Sequence, residues 1–260
     1  MSYLRPILES TRARIAELTQ RVSADVLEQR VAAAEPPRGF AAALEGEEVA
    51  VIAEIKRASP AAGPLNLDLN AARMAMAYAE GGAAAISVLT EPDHFQGSLE
   101  DLEAGRSAGL PVLRKDFILD ELQVLESRAV GADAVLLIVK ALGDDLPKFV
   151  AATATLGMDP LVEVHDETEL ERAVDAGATL IGVNQRNLDT FEVDPDRTAK
   201  LAGLVPPGVV LVALSGVSDR AGVEALAEAG ADAVVVGEGL VRAADAAAAL
   251  RALRGRDGAG

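Results

Sequence analysis

The sequence predicts an α/β protein: a closed (β/α)8 TIM barrel preceded by an N-terminal helical extension. Three observations predict it. From residue 49 onward, short runs of aliphatic and β-branched residues alternate with amphipathic helical stretches through eight repeats. The strand runs are apolar throughout, as in parallel sheets covered by helices. A small-residue motif recurs at Gly81-Gly82-Ala83-Ala84, Gly131-Ala132-Asp133-Ala134, Gly177-Ala178-Thr179 and Gly230-Ala231-Asp232-Ala233, each time ending a helix just before a strand. Its spacing of about 50 residues equals two βα units. Eight units in about 200 residues suit a closed barrel better than an open sheet. No G-x-G-x-x-G follows the first strand, which leaves the doubly wound fold without support.

The elements follow in order. Within 1–46, Ile7, Ile15, Leu18, Val22, Val26 and Leu27 recur at helical spacing among charges, and Pro36-Pro37-Arg38-Gly39 breaks the pattern. One or two helices and a connector are expected there. Strands are expected at 49–55, 84–89, 111–113, 134–139, 161–164, 180–183, 209–214 and 233–236. Helices are expected at 69–80, 99–107, 121–130, 146–156, 168–175, 196–204, 220–229 and 240–253. The barrel then spans 49–254, and 1–260 is read as one domain. The tail from Arg254 to Gly260 is expected to be disordered.

Composition narrows the function. Half of the 260 residues are hydrophobic and 25% are charged, as in an ordinary soluble core-forming chain. No apolar run approaches the roughly 20 residues that span a bilayer. Residues 1–20 carry Arg and Glu throughout, unlike a signal peptide, so a cytoplasmic location is expected. The absence of cysteine excludes disulfides, thiolate catalysis and cysteine-ligated metals. A net charge of −17 argues against nucleic acid or an anionic membrane as partner. It does not argue against a small anion, because a few lysines in a cleft dominate the local field. No oligomeric interface is legible.

In such a barrel the chemistry belongs at the C-terminal strand ends. The first strand exits with Glu54 and Lys56, two apart and so on one side. The third exits with Lys115, the fifth with Glu163 and His165, and the sixth with Asn184 and Arg186. Glu54 and Glu163 stand inside apolar strand sequence, where an unpaired carboxylate is costly. Ser215-Gly216 leaves the seventh strand, and Gly237-Glu238-Gly239 leaves the eighth and opens a helix. Both turns suit a phosphate held by backbone N–H groups. Ser59, in Arg57-Ala58-Ser59-Pro60, adds a hydroxyl. The two histidines, His94 and His165, show no metal-ligand spacing, so no metal is expected. Neither a G-x-S-x-G elbow nor a Walker loop is present.

The chain resembles the indole-3-glycerol-phosphate synthase family over nearly its whole length. The resemblance rests first on Ile52-Ala53-Glu54-Ile55-Lys56-Arg57-Ala58-Ser59-Pro60. It is supported by Ser87-Val88-Leu89-Thr90-Glu91-Pro92, Leu113-Arg114-Lys115-Asp116-Phe117-Ile118, Leu161-Val162-Glu163-Val164-His165 and Ile181-Gly182-Val183-Asn184-Gln185-Arg186-Asn187-Leu188. The helical extension also looks like the family's, packed near the barrel mouth.

The resemblance implies a lyase of tryptophan biosynthesis. Its substrate is the phosphorylated small molecule 1-(2-carboxyphenylamino)-1-deoxyribulose 5-phosphate, which undergoes ring closure with loss of carbon dioxide and water. Lys115 is then the general acid of ring closure and Glu163 an acid/base of dehydration. Lys56 contacts the substrate carboxylate, Glu54 holds and tunes the lysines, and Asn184 positions the reacting groups. Arg186 supports its loop, and Ser59, Ser215, Gly216, Gly237 and Glu238 surround the phosphate. No cofactor and no metal are implied.

Two departures stand out. Leu214-Ser215-Gly216 replaces the family's Glu-Ser-Gly, removing an expected active-site carboxylate, and Ala61-Ala62 replaces polar residues after Ser59-Pro60. Leu214 is expected to make the barrel mouth more apolar. These departures leave open a second reading, a catalytically impaired paralogue that binds a phosphorylated ligand or a partner. A third, an isomerase acting on phosphoribosylanthranilate, does not fit the Glu54–Lys56 pair.

Overall fold

The computed structural model describes residues 3–256. Two helices, α1 (Leu4–Arg21) and α2 (Ala24–Ala33), precede eight parallel strands. These are β1 (Ala50–Ile55), β2 (Ala85–Leu89), β3 (Val112–Lys115), β4 (Ala134–Ile138), β5 (Asp159–Val164), β6 (Leu180–Asn184), β7 (Val210–Leu214) and β8 (Ala233–Val236). Each strand pairs with its sequence neighbours, and β8 closes on β1 in the register Ala50↔Ala233 to Ala53↔Val236. Outside the barrel lie α3 (Ala71–Gly81), α4 (Leu99–Gly105), α5 (Glu121–Ala129), α6 (Leu146–Thr155), α7 (Glu167–Asp175), α8 (Arg197–Ala202), α9 (Arg220–Glu228) and α10 (Ala246–Leu253). No helix among the described residues is long and apolar enough to cross a membrane.

Alternation along each strand splits the core in two. Val51, Ala53 and Ile55 of β1 face the helices and belong to the outer cluster; Ile52 faces the barrel interior with Leu113, Leu161 and Val212. Both faces are buried, which is why the strand runs are apolar throughout. The recurring motif has an architectural basis. Gly131 and Gly230 take φ of +88° and +97°, a backbone that only glycine adopts readily. The aspartate two residues on reaches sideways to the preceding strand. Asp133 Oδ2 accepts from Val112 N–H, and Asp232 Oδ2 from Leu211 N–H, both at 2.7 Å. These carboxylates staple the closed end of the barrel.

The extension touches both ends. Phe40 and Leu44 are fully buried in the inner cluster beside Ala134, Leu161, Leu180 and Ala233, and so plug the N-terminal end of the barrel. Ala41 N–H donates to Asp159 Oδ2 and Arg38 N–H to Asp133 Oδ1, each at 2.9 Å, which fixes that plug. At the opposite end α1 reaches the loops of the mouth. Arg14 lies 3.6 Å from Glu91 and from Asp116, and the Tyr3 ring packs 4.4 Å from Phe191.

Several details depart from the expected pattern. The chain after β1 folds into a two-stranded hairpin, Ala58–Ser59 against Gly63–Pro64, and helical turns form at Pro92–Phe95 and Val139–Leu142. Pieces this short carry no readable period. β3 runs on to Lys115 because Val88 and Leu89 pair with Arg114 and Lys115. The helix expected at 240–253 is two, Glu238–Arg242 and α10, since Ala243 is extended and Asp245 caps Ala248 N–H at 2.9 Å. The expected disorder from Arg254 does not hold as far as Arg256. Arg256 and Arg254 reach Glu48 at 2.8 and 3.8 Å, while 257–260 lie outside the described residues.

Candidate active site

A cavity of about 670 Å³ opens at the C-terminal ends of the strands. All eleven residues given a site role from sequence line it: Glu54, Lys56, Ser59, Lys115, Glu163, Asn184, Arg186, Ser215, Gly216, Gly237 and Glu238; His165, also at a strand exit, does not. The barrel's geometry brings them together. Alternate strands contribute the four inward residues of one layer, and near the C-terminal end that layer is Glu54, Lys115, Glu163 and Leu214. Asn184 and Gly237 come from the strands between.

Glu54 is the hub. Its carboxylate is 5% exposed, with Oε1 2.8 Å from Lys56 Nζ and Oε2 3.7 Å from Lys115 Nζ. Burial pushes its pKa up, but the charges and hydrogen bonds of Lys56 and Lys115 outweigh burial and hold it below the ordinary carboxylate value. Tyr78, buried between β1 and α3, donates its hydroxyl to the Glu54 carbonyl oxygen at 3.0 Å and stays protonated, because burial and then the Glu54 charge both oppose ionisation. Gly237 allows β8 to pass close by. A Cβ there would meet Glu54 Oε1 at 2.7 Å.

Lys115 is set by its neighbours. Arg114 points outward into a buried network, 3.0 Å from Asp116 and 3.1 Å from Glu126, while Lys115 points in. Asp116 Oδ1 also accepts from Phe117 N–H at 2.8 Å, and Thr90 donates to Asp116 Oδ2 at 2.8 Å. The exit of β3 is thereby rigid, with Arg14 of α1 closing it from above.

Glu163 lies across the barrel, 1% exposed. Asn184 Nδ2 donates to its Oε1 at 3.0 Å, and Asn184 Oδ1 accepts from Arg186 N–H at the same distance. Arg186 donates to the Phe191 carbonyl at 2.9 Å, bracing the loop after β6. Ser215 and Gly216 leave β7 with φ of +67° and +81°. Gln185 Nε2 donates to the Ser215 carbonyl at 2.8 Å and holds that turn.

Leu214 does not reach the mouth. It is fully buried in the inner cluster, against Gly182 and Leu161, and does not line the cavity. It turns into the inner cluster at the level of the charged groups, contrary to the expected apolar mouth.

Reading strand exits does not reach the apolar wall. Phe95, from the helical turn Pro92–Phe95, and Phe117, Leu188 and Phe191, from loops, line the cavity. Three of the chain's five phenylalanines are therefore here, and their scarcity was the available signal. Arg242, from the helical turn Glu238–Arg242 after β8, also lines the cavity. One end of the cavity can stack an aromatic ring, while the other offers small-residue turns and cations to an anion.

A family model described as indole-3-glycerol phosphate synthase matches residues 4–253. The chain belongs to the indole-3-glycerol phosphate synthase family. It is a carboxy-lyase of tryptophan biosynthesis acting on a phosphorylated small molecule. Among curated relatives, the indole-3-glycerol phosphate synthase of Parafrankia sp. is 51% identical over 249 residues, 94% of this chain and 92% of the relative. Indole-3-glycerol phosphate synthase 1 of Streptomyces coelicolor is 50% identical over 94% of this chain and 92% of its own length. The synthase of Mycobacterium tuberculosis is 49% identical over 95% and 92%. None of these findings supports the impaired-paralogue reading.

Solved structures outside the synthase family share the fold alone. Thiamine phosphate pyrophosphorylase from Pyrococcus furiosus superposes with a TM-score of 0.59 at 19% identity, covering 79% of this chain and 93% of that one. Orotidine 5'-phosphate decarboxylase from Pyrococcus horikoshii gives 0.61 at 15%, covering 79% and 98%.

Proposed function

We propose that the synthase reaction is divided between two carboxylate centres facing one cavity. The observation that carries this reading is the pair of ammonium groups held by one buried carboxylate, Glu54, opposite a second carboxylate, Glu163, held separately by Asn184. In ring closure the carboxylate-bearing aryl carbon attacks the ketone carbon of the substrate. The ketone oxygen takes a proton from Lys115 and becomes a hydroxyl. The bond to the carboxylate then breaks, carbon dioxide leaves, and its electron pair restores the aromatic ring. In dehydration the hydroxyl departs as water with a second proton, and a base removes the proton from the neighbouring ring carbon.

Lys56 holds the substrate carboxylate and assists proton transfer. Glu163 exchanges protons in the dehydration, and Glu54 holds and aims both lysines. Ser59, Ser215, Gly216, Gly237 and Glu238 surround the phosphate, the last two through backbone N–H. The wall of Phe95 and Phe117 takes the anthranilate ring. The extension and barrel fold as one unit, since α1 and the Phe40 plug complete the two ends.

Two measurements test this division. Glu163→Gln is expected to lower kcat about 10²-fold with little change in KM, read by the fluorescence of indole-3-glycerol phosphate as it forms. A kcat within about three-fold of the parent's would remove Glu163 from the chemistry. Gly216→Ala acts at the other end. Its φ of +81° disfavours any side chain, and the new Cβ would lie 2.8 Å from Gln185 Nε2 and 3.1 Å from Val193 Cγ1. The turn must shift, so KM and the inhibition constant of inorganic phosphate are expected to rise together about ten-fold, with kcat largely kept. Equal constants in variant and parent would place the phosphate elsewhere.

A further inference from the structure

His165 is two residues beyond Glu163, just past the end of β5, and the mechanism above does not use it. Its side chain is 11% exposed and sits between two carboxylates. Glu169 of α7 holds the ring from one side. Its Oε2 is 3.0 Å from His165 Nδ1 and also accepts the His165 backbone N–H at 2.8 Å. The other ring nitrogen, Nε2, is buried and forms no hydrogen bond. It lies 3.6 Å from Glu163 Oε1, the oxygen that Asn184 binds. A neutral ring with its proton on Nδ1 would aim the buried Nε2 lone pair at a carboxylate oxygen. A doubly protonated ring aims a positive N–H there instead, so the geometry favours the imidazolium.

We propose that His165 is a positioning residue: clasped by Glu169, its ring fixes the orientation and the electrostatic surroundings of Glu163 for the dehydration step. The proposal rests on the assignment of Glu163 as acid/base. The charged groups facing the ring are Glu163 on its own strand, Glu169 on α7 and Arg197 on α8, with neutral Asn184 on β6. Burial and Arg197 oppose the charged ring. The Glu169 hydrogen bond and the charges of Glu163 and Glu169 favour it and prevail, raising the His165 pKa above the ordinary 6.5. The ring's charge is therefore present below that value and is lost only as pH rises through the raised one. The imidazolium sets a positive N–H against Glu163 Oε1; removing the ring takes that charge away and leaves the 1% exposed Glu163 with the Asn184 amide.

The chain has two histidines, His94 and His165, so ring resonances in NMR spectra are assigned by a single His94→Gln variant. The His165 midpoint is expected above 6.5 in the parent and lower in both Glu163→Gln and Glu169→Gln. In kinetics, His165→Gln is expected to lower kcat about ten-fold with KM nearly unchanged and to move the acid limb of kcat/KM to higher pH. Glu169→Gln, which keeps the ring in place, is expected to move the limb the same way by less. In a Glu163→Gln background, His165→Gln should cost almost nothing further, as two residues acting through one interaction require. A His165 midpoint indifferent to Glu163→Gln would overturn the proposal. So would a loss from His165→Gln that is the same with or without Glu163, which is the mark of a merely structural role. If Glu163→Gln keeps the parent kcat, the assignment of Glu163 fails and the proposal falls with it. If Glu163→Gln loses activity while His165→Gln keeps kcat and the acid limb, the proposal alone fails.

Discussion

Lys115→Met is expected to lower kcat for indole-3-glycerol phosphate formation about 10³-fold while the protein stays folded. A positioned general acid contributes about 10²–10⁴ to rate, and methionine keeps the length of the side chain without its proton. The fold should tolerate the change, because Lys115 makes the longer of the two contacts to Glu54, 3.7 Å against 2.8 Å for Lys56. After the substitution Glu54 still has a cation at hydrogen-bond distance. The inward position is also next to the apolar Leu136 and Ile138 that line the same cavity, so a thioether is accommodated. The fluorescence assay gives kcat, and thermal unfolding gives the control. A fall of less than about ten-fold, with an unchanged unfolding midpoint, would assign ring-closure acid catalysis to another group.

Glu54→Gln is expected to damage both rate and stability. The amide keeps the shape but removes the charge between two ammonium groups, leaving Lys56 and Lys115 to repel each other beneath the mouth. Removing one partner from a buried ion pair costs about 3–5 kcal/mol. The lysine side chains retain 17% and 16% exposure, so water offsets part of this and a loss of about 3 kcal/mol is expected. The rate should fall about 10²-fold or more, since the lysines lose the group that aims them. The pH dependence follows from the depressed pKa of Glu54. Its contribution is complete above the ordinary 4.5 and is lost as pH falls through the lower value in the folded protein. The stability gap between parent and variant is therefore expected to stay level from about pH 8 to about pH 5 and to narrow below that. Urea unfolding across that range measures it. A gap absent at neutral pH would mean that the two lysines hold their places without Glu54.

Leu214 lends a further sense to these numbers. It occupies the fourth place in the layer of Glu54, Lys115 and Glu163, where the family resemblance leads one to expect a carboxylate. In this chain the cavity's other carboxylates Asp116 and Glu238 pair with Arg114 and Arg242, which leaves the two lysines to Glu54 beside the apolar Leu214. Leu214 is fully buried and offers no polar group, so each charge depends more strongly on its named partner. This is the physical reason to expect the large effects at Lys115 and Glu54.

The order of strands and helices was legible because it is a local property. Burial of both strand faces leaves continuous apolar runs, as at 134–138, and glycine at Gly131 or Gly230 ends a helix wherever the backbone must turn left-handed. Period alone was also enough to place the ionisable residues at strand exits, since parallel strands all exit at one end. The hairpin after β1, the break at Ala243 and the anchoring of Arg256 on Glu48 were not legible, because each depends on a partner or cap rather than on a repeating pattern.

The same division runs through the site. The types of its charged residues and their strand positions came from the chain's own spacing. How near Lys115 comes to Glu54, that Leu214 stays buried in the inner cluster, and that three phenylalanines meet at the cavity came only with barrel closure. Spacing along a strand gives the face a residue points to. Contacts between residues a hundred positions apart are set by shear and closure of the sheet, and no local pattern carries that information.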